Sequence, residues 1–182
     1  EYKGNAVLFI NLDLSTMTVS EISDKIEGFI KSSMLNAGYS RKMLGHFNFH
    51  RQYTQASVAL QVGKRKNPAE SIHHFNSIAL PYILEQATRK LPAYMICHEK
   101  LLALKYKDES GQSHLYDTLR CFLEHNQNIA HTANALFIHR TTLLYRLDKI
   151  KAFLGSDLTD RDEILYLLLS FHLMDMESEH QP

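Results

Sequence analysis

A chain of 182 residues has room for one large or two small domains, and 45% hydrophobic with 22% charged residues marks an ordinary globular chain able to bury a core. Twenty lysines and arginines balance twenty aspartates and glutamates, which excludes a global field that would draw the protein onto nucleic acid. Any such contact has to come from a local patch.

Cys97 and Cys121 form no C-x-x-C pair and no disulfide framework, and read as free structural thiols in a reducing compartment. The apolar run Ile164 to Met174, ILYLLLSFHLM, contains a serine and a histidine and falls short of the ~18 residues of a membrane span. No signal-peptide pattern is visible. A cytoplasmic protein without a membrane partner is therefore expected. The chain opens on Glu1 rather than methionine, which suggests a piece of a longer protein.

In chain order, Ala6 to Leu12 (AVLFINL) is a continuous apolar run of strand length and predicts a buried strand. Ser20 to Ser32 predicts a helix with Ile22, Ile26, Phe29 and Ile30 inward and Ser20 or Ser23 as caps. A second strand is expected over Met34 to Tyr39. Phe49 to Val62 follows as a helix with Tyr53, Ala56, Ala59 and Leu60 inward. Gly63 then reads as its C-cap, and Lys64-Arg65-Lys66 complements the macrodipole. Ser71 to Phe75 predicts a short strand. The first part thus reads as a small sheet packed on helices, and the fold class of the whole as α+β.

Ile78 to Lys90 predicts a helix with Ile83, Leu84 and Ala87 among its apolar positions and Pro81 in its first turn, broken by Leu91-Pro92. A helix over Tyr94 to Tyr106 and a polar loop from Lys107 to Gln112 follow, and the loop is the expected linker. The domain boundary is accordingly set at 110/111, within a range of 91–112. Leu115, Leu119, Phe122 and Leu123 mark a supporting helix.

From Asn128 to Lys151 the chain reads NIAHTANALFIHRTTLLYRLDKIK. Ile129, Ala133 and Leu136 recur at helical spacing, with Asn128 as N-cap. Phe137-Ile138-His139 breaks the phase. A second helix then carries Leu143, Leu147, Ile150 and Leu154 on one side, ending at Gly155. Two such helices joined by a short turn make a helix-turn-helix, whose second helix enters the DNA major groove. The face opposite the leucines carries Thr141, Thr142, Tyr145, Asp148, Lys149 and Ala152, with Arg140 and Arg146 at its margins. An arginine at the start of this helix can reach guanine O6 and N7, and hydroxyls and first-turn amides can serve bases or phosphates. His139 to Lys151 is the local basic patch, with Asp148 its one acid. A surface helix with ordinary solvated charges is the plainer reading of the outer face alone; the paired-helix pattern favours DNA. Thr159 with Asp162 resembles a capping box for a last helix, about 160–176, which closes the core or pairs with a second copy.

The string NIAHTANALFIHRTTLLYRL resembles the C-terminal helix-turn-helix of PucR/CdaR-type transcriptional regulators, and more distantly that of the nucleoid protein Fis. The family pattern A-x-x-L-x-[VI]-H-R-N-T-L-x-Y-R-L is matched by Ala133, Leu136, Ile138, His139, Arg140, Thr142, Leu143, Tyr145, Arg146 and Leu147. It departs at Thr141, where the family has asparagine. The likeness extends from about Leu115 to Met174. GYSRKMLGHFNFHRQYTQASVALQVGK resembles, more loosely, the GGDEF-like domain that precedes this helix-turn-helix in the family. No G-G-[DE]-E-F string occurs, and Asp13 is a lone carboxylate, so residues 1–110 read as a non-catalytic GGDEF-like α+β module. Residues 111–182 read as an all-α helix-turn-helix domain.

The resemblance implies a sequence-specific DNA-binding transcriptional regulator whose recognition helix, about 139–152, lies in the major groove. Its expected DNA-binding residues are Asn128, His139, Arg140, Thr141, Thr142, Tyr145, Arg146 and Lys149. Expected partners are double-stranded DNA and a second copy, as homodimer or higher oligomer, with an effector sensed upstream. The alternative is a protein-interaction or dimerisation module that keeps the helix-turn-helix shape without DNA. His46 and His50 stand four apart, a spacing that can chelate zinc, but no third ligand is evident. No metal site, cofactor or catalytic residue is expected, because no nucleophile motif such as G-x-S-x-G is present.

Overall fold

The computed structural model describes residues 4–11, 16–43, 49–111 and 113–178. Contacts divide the chain into two compact units, residues 1–85 and 86–182.

In the first unit, α1 (Val19–Ser32) begins with Thr18 as N-cap in a capping box: Glu21 N donates to Thr18 Oγ1 at 3.3 Å and Thr18 N to Glu21 Oε2 at 2.7 Å. The expected caps Ser20 and Ser23 lie inside the helix instead. Thr18 wins because its partner three residues on is a glutamate. Ile30 is buried, Ile22 and Ile26 are half-buried, and Phe29, expected inward, is exposed.

The strand expected over Ala6 to Leu12 is not formed by Ala6–Asn11, and Leu12 and Asp13 lie outside the described residues. Leu8, Phe9 and Ile10 are exposed. A buried strand needs a paired edge and two covered faces, which an apolar run does not by itself provide.

Among the described residues the sheet has two strands, β1 (Ala37–Tyr39) and β2 (Ile72–His74), paired in parallel with Gly38 opposite His73. The helix α2 (Phe49–Lys66) connects them and packs on both. The close approach depends on glycine at both contacts. A Cβ on Gly38 would lie 2.0 Å from Ala56 O, and one on Gly63 would lie 2.3 Å from the His73 ring. Gly63 is therefore a buried mid-helix contact rather than the C-cap, and α2 continues to Lys66 with its three cations in the last turn. His73 is buried and His74 exposed, as their places on opposite faces of a strand require. His50 is exposed on α2, whereas His46 lies outside the described residues. Helix α3 (Phe75–Ala87) starts directly after β2, so Pro81 sits inside it rather than in its first turn. Leu84 is buried but Ile83 faces outward.

The second unit is all helical among its described residues: α4 (Ala93–Ile96), α5 (Glu99–Gly111), α6 (Leu115–Glu124), α7 (Ile129–Ala135), α8 (Arg140–Leu154) and α9 (Arg161–Ser178). The single helix expected over 94–106 is broken between Ile96 and Glu99, where His98 N donates to Ser170 Oγ at 2.9 Å and Cys97 turns its thiol to Ser170 O. The polar stretch from Lys107 is not a linker loop: α5 continues to Gly111, and Gln112 lies outside the described residues. Asp108 explains this. Its Oδ2 accepts from Tyr116 N at 2.7 Å and its other oxygen from the Ser113 hydroxyl, so α5 supplies the N-terminal cap of α6. Helices α4 and α5, expected in the first part, pack on α9 and on α6 and α8. Leu101 and Leu104 of α5 are fully buried with Leu119, Leu143 and Ile150.

Helix α9 is capped by Asp160, whose Oδ1 accepts from Asp162 N at 2.8 Å, and not by the expected Thr159–Asp162 pair. Thr159 is held by Asp157 instead. Arg120 of α6 ties α9 through a two-pronged contact with Asp175 at 2.8 and 2.7 Å. Among the described residues, no helix is long and apolar enough to cross a membrane.

Candidate nucleic-acid interface

Asn128 caps α7 as its sequence position requires, accepting from His131 N at 3.0 Å. Within α7, Thr132 and Ala133 are buried, and the helix packs against α8. The helix ends in a Schellman motif: Phe137 N donates to Asn134 O at 3.2 Å and Ile138 N to Ala133 O at 3.0 Å. Phe137 holds the left-handed position, φ 54°, which glycine or asparagine usually occupies. His139 then caps α8, its ring nitrogen accepting from Thr141 N at 3.4 Å and meeting Thr141 Oγ1 at 2.8 Å. The turn is thus bounded by a defined C-terminal lock and a defined N-terminal cap.

Leu143, Leu147, Ile150 and Leu154 are all buried, so the phase of α8 is fixed by packing on α6, α7 and α5. Gly155 ends it at φ 67°, and the Lys100 ammonium of α5 donates to Leu154 O. A cation on the last carbonyls complements the helix dipole there. The opposite face is left to solvent: Arg140, Thr141, Thr142, Leu144, Tyr145, Asp148, Lys149 and Ala152 are exposed. Lys149 Nζ sits 4.4 Å from the centre of the Tyr145 ring, a cation–π contact that orients both side chains on this surface.

Of the eight predicted residues, the structure brings His139, Arg140, Thr141, Thr142, Tyr145 and Lys149 onto one exposed surface along α8 and its cap. Asn128 is exposed at the start of α7. Arg146 departs from the set. It is half-buried, and its Nη1 donates to Thr118 Oγ1 of α6 at 3.1 Å. That bond ties α8 to α6. Two residues of this region escaped sequence reasoning. Phe137 is 95% exposed, which its apolar character gave no reason to expect, and Lys100 acts from a helix with no motif of its own.

Residues 115–173 match the family model of the PucR C-terminal helix-turn-helix domain. More particularly, the chain is 33% identical over 123 residues to the carbohydrate diacid regulator of Escherichia coli (strain K12), covering 68% of this chain and 31% of that one. It is 32% identical over 129 residues to the purine catabolism regulatory protein of Bacillus subtilis (strain 168), covering 69% and 23%. To the proline-responsive transcriptional activator PutR of the same organism it is 27% identical over 168 residues, covering 79% and 41%. The match spans less than half the length of each relative. No solved structure gives a significant match.

Proposed function

We propose that this chain is the DNA-binding part of a transcriptional regulator, with α8 read into the major groove. The observation that carries this is the exposed surface of α8 behind a capped Schellman turn, in the segment that matches the PucR helix-turn-helix family. Its leucine face is buried, which leaves Arg140, Thr141, Thr142 and Tyr145 for base edges. Asn128, His139 and Lys149 serve phosphates. Arg146 acts indirectly, by fixing the helix.

The first unit acts as a GGDEF-like scaffold without catalysis, and a dimer presents two recognition helices on one face of the duplex. One copy offers few cations, and phosphate neutralisation dominates affinity, so pairing gains both contacts and effective concentration. A regulator of this kind works in the cytoplasm, with an effector sensed outside these residues.

Selection of bound duplexes from a random pool tests the reading. A salt-sensitive consensus is expected, with half-sites about 10 base pairs apart or a multiple of that. Arg140→Ala is expected to cost about 1–3 kcal/mol on the consensus with the fold intact. No enrichment of any duplex, at any salt, refutes the proposal.

A further inference from the structure

Phe137 sits where a large apolar side chain has least reason to be. It is the left-handed residue of the Schellman turn, and its ring is 95% exposed. An L-residue in this conformation is strained, and a side chain that packs on nothing returns no stability for that strain. The comparable positions after α6 and α8 hold Asn126 and Gly155, residues suited to the left-handed region. Met34, after α1, is also exposed and left-handed, so such turns tolerate a long side chain but do not call for one.

What distinguishes Phe137 is its place. Three peptide links separate it from Arg140, which keeps their Cα atoms within about 11 Å. Between them, Ile138 is half-buried and His139 caps α8. Phe137 therefore lies just ahead of the first turn of α8, whose exposed face carries Arg140 and Lys149 against Asp148. A polyanion drawn to this face meets the ring on the way in. The apolar feature of a major groove is the thymine 5-methyl group, which phenylalanine can contact.

We infer that Phe137 is a specificity residue, whose ring packs on a thymine methyl at the edge of the site read by α8. The inference rests on the DNA-binding reading above. On the selected duplex, Phe137→Asn and Phe137→Gly should lower affinity roughly tenfold or more, the worth of burying an aromatic side chain. The thermal midpoint should fall no lower with Phe137→Asn, since asparagine suits the turn. The salt dependence should keep its slope, because the ring neutralises no phosphate.

The decisive arm replaces each thymine of the site by uracil in turn. One position should weaken the unaltered protein and leave Phe137→Asn unaffected. If the variant binds the duplex as tightly as the unaltered protein, or no thymine is sensitive, or the same loss persists in the variant, the inference is overturned while DNA binding stands. A drop in thermal midpoint in both variants, or loss of self-association in sedimentation, also overturns it by giving the ring a structural or pairing role. If the unaltered protein selects no duplex, both readings fall together.

Discussion

Replacing Arg146 by methionine keeps most of the aliphatic stem and removes the guanidinium, and the expected loss is in stability rather than in DNA contact. The hydroxyl it serves, on Thr118, is fully buried. Thr118 Oγ1 also donates to His114 O at 2.5 Å, so the substitution leaves its proton paired and only one acceptor site unfilled. A hydrogen bond from a charged donor contributes roughly 1.5–3 kcal/mol, and the half-exposed guanidinium with its surviving partner bond places this one near 1.5 kcal/mol or below. In a unit of about a hundred residues, each 1 kcal/mol moves the thermal midpoint by roughly 4–8 °C. A fall of about 5–10 °C is therefore expected in far-ultraviolet circular dichroism. Duplex titrations across a salt series should keep their slope. An unchanged midpoint with a slope shallower by about 0.9 would put Arg146 on a phosphate and refute its assignment to α6.

Gly38→Ala drives a Cβ to 2.0 Å from Ala56 O and 2.7 Å from Leu60 N, backbone atoms that cannot swing aside. It should cost about 3 kcal/mol or more, read as a lower urea midpoint, and an unchanged midpoint contradicts the packing of α2 on β1. Leu147→Asp buries a carboxylate among leucines and should cost roughly 4 kcal/mol or more; amide exchange should show protection lost from residues 115–173 and kept in the first unit. Burial, reinforced by Asp175, pushes the Tyr116 hydroxyl from its ordinary 10.0 up to about 12. Its contribution to stability is whole below pH 10 and is lost as pH rises toward 12, because the unfolded chain ionises first. Denaturant midpoints across that range should fall less steeply for Tyr116→Phe, and equal slopes would show that the ring is not shielded.

The helix-turn-helix was legible because its rules are local. Leu143, Leu147, Ile150 and Leu154 share one face whatever surrounds them, and Asn128 and Gly155 are cap residues by chemistry alone. The exposed surface of α8 follows as the complement of that face. Arg146 lies at the margin between faces, where its bond to a buried hydroxyl on α6 is a contact that no periodicity shows.

Sequence reasoning failed most where a side chain acts at a distance. The polar run from Lys107 looked like a linker because its residues are hydrophilic, yet Asp108 uses that polarity to cap the next helix. Gly63 looked like a helix stop because glycine often is one, yet here it makes room for His73. The run Ala6 to Asn11 has strand composition without strand pairing, since composition specifies an edge's appetite for a neighbour and not its neighbour.

The parallel pairing of β1 with β2 has a kinetic consequence. Residues 40–71 separate the two strands, and each strand is only three residues long. Drawing the ends of such a loop together costs about 3 kcal/mol of chain entropy, more than so brief a ladder returns. Helix α2 lies within that loop and packs on both strands, so its glycine contacts at Gly38 and Gly63 close the loop and cover the sheet in one act. The sheet should have no early existence of its own during folding. Its amides should gain exchange protection only together with those of α2, in one cooperative step governed by non-local contacts.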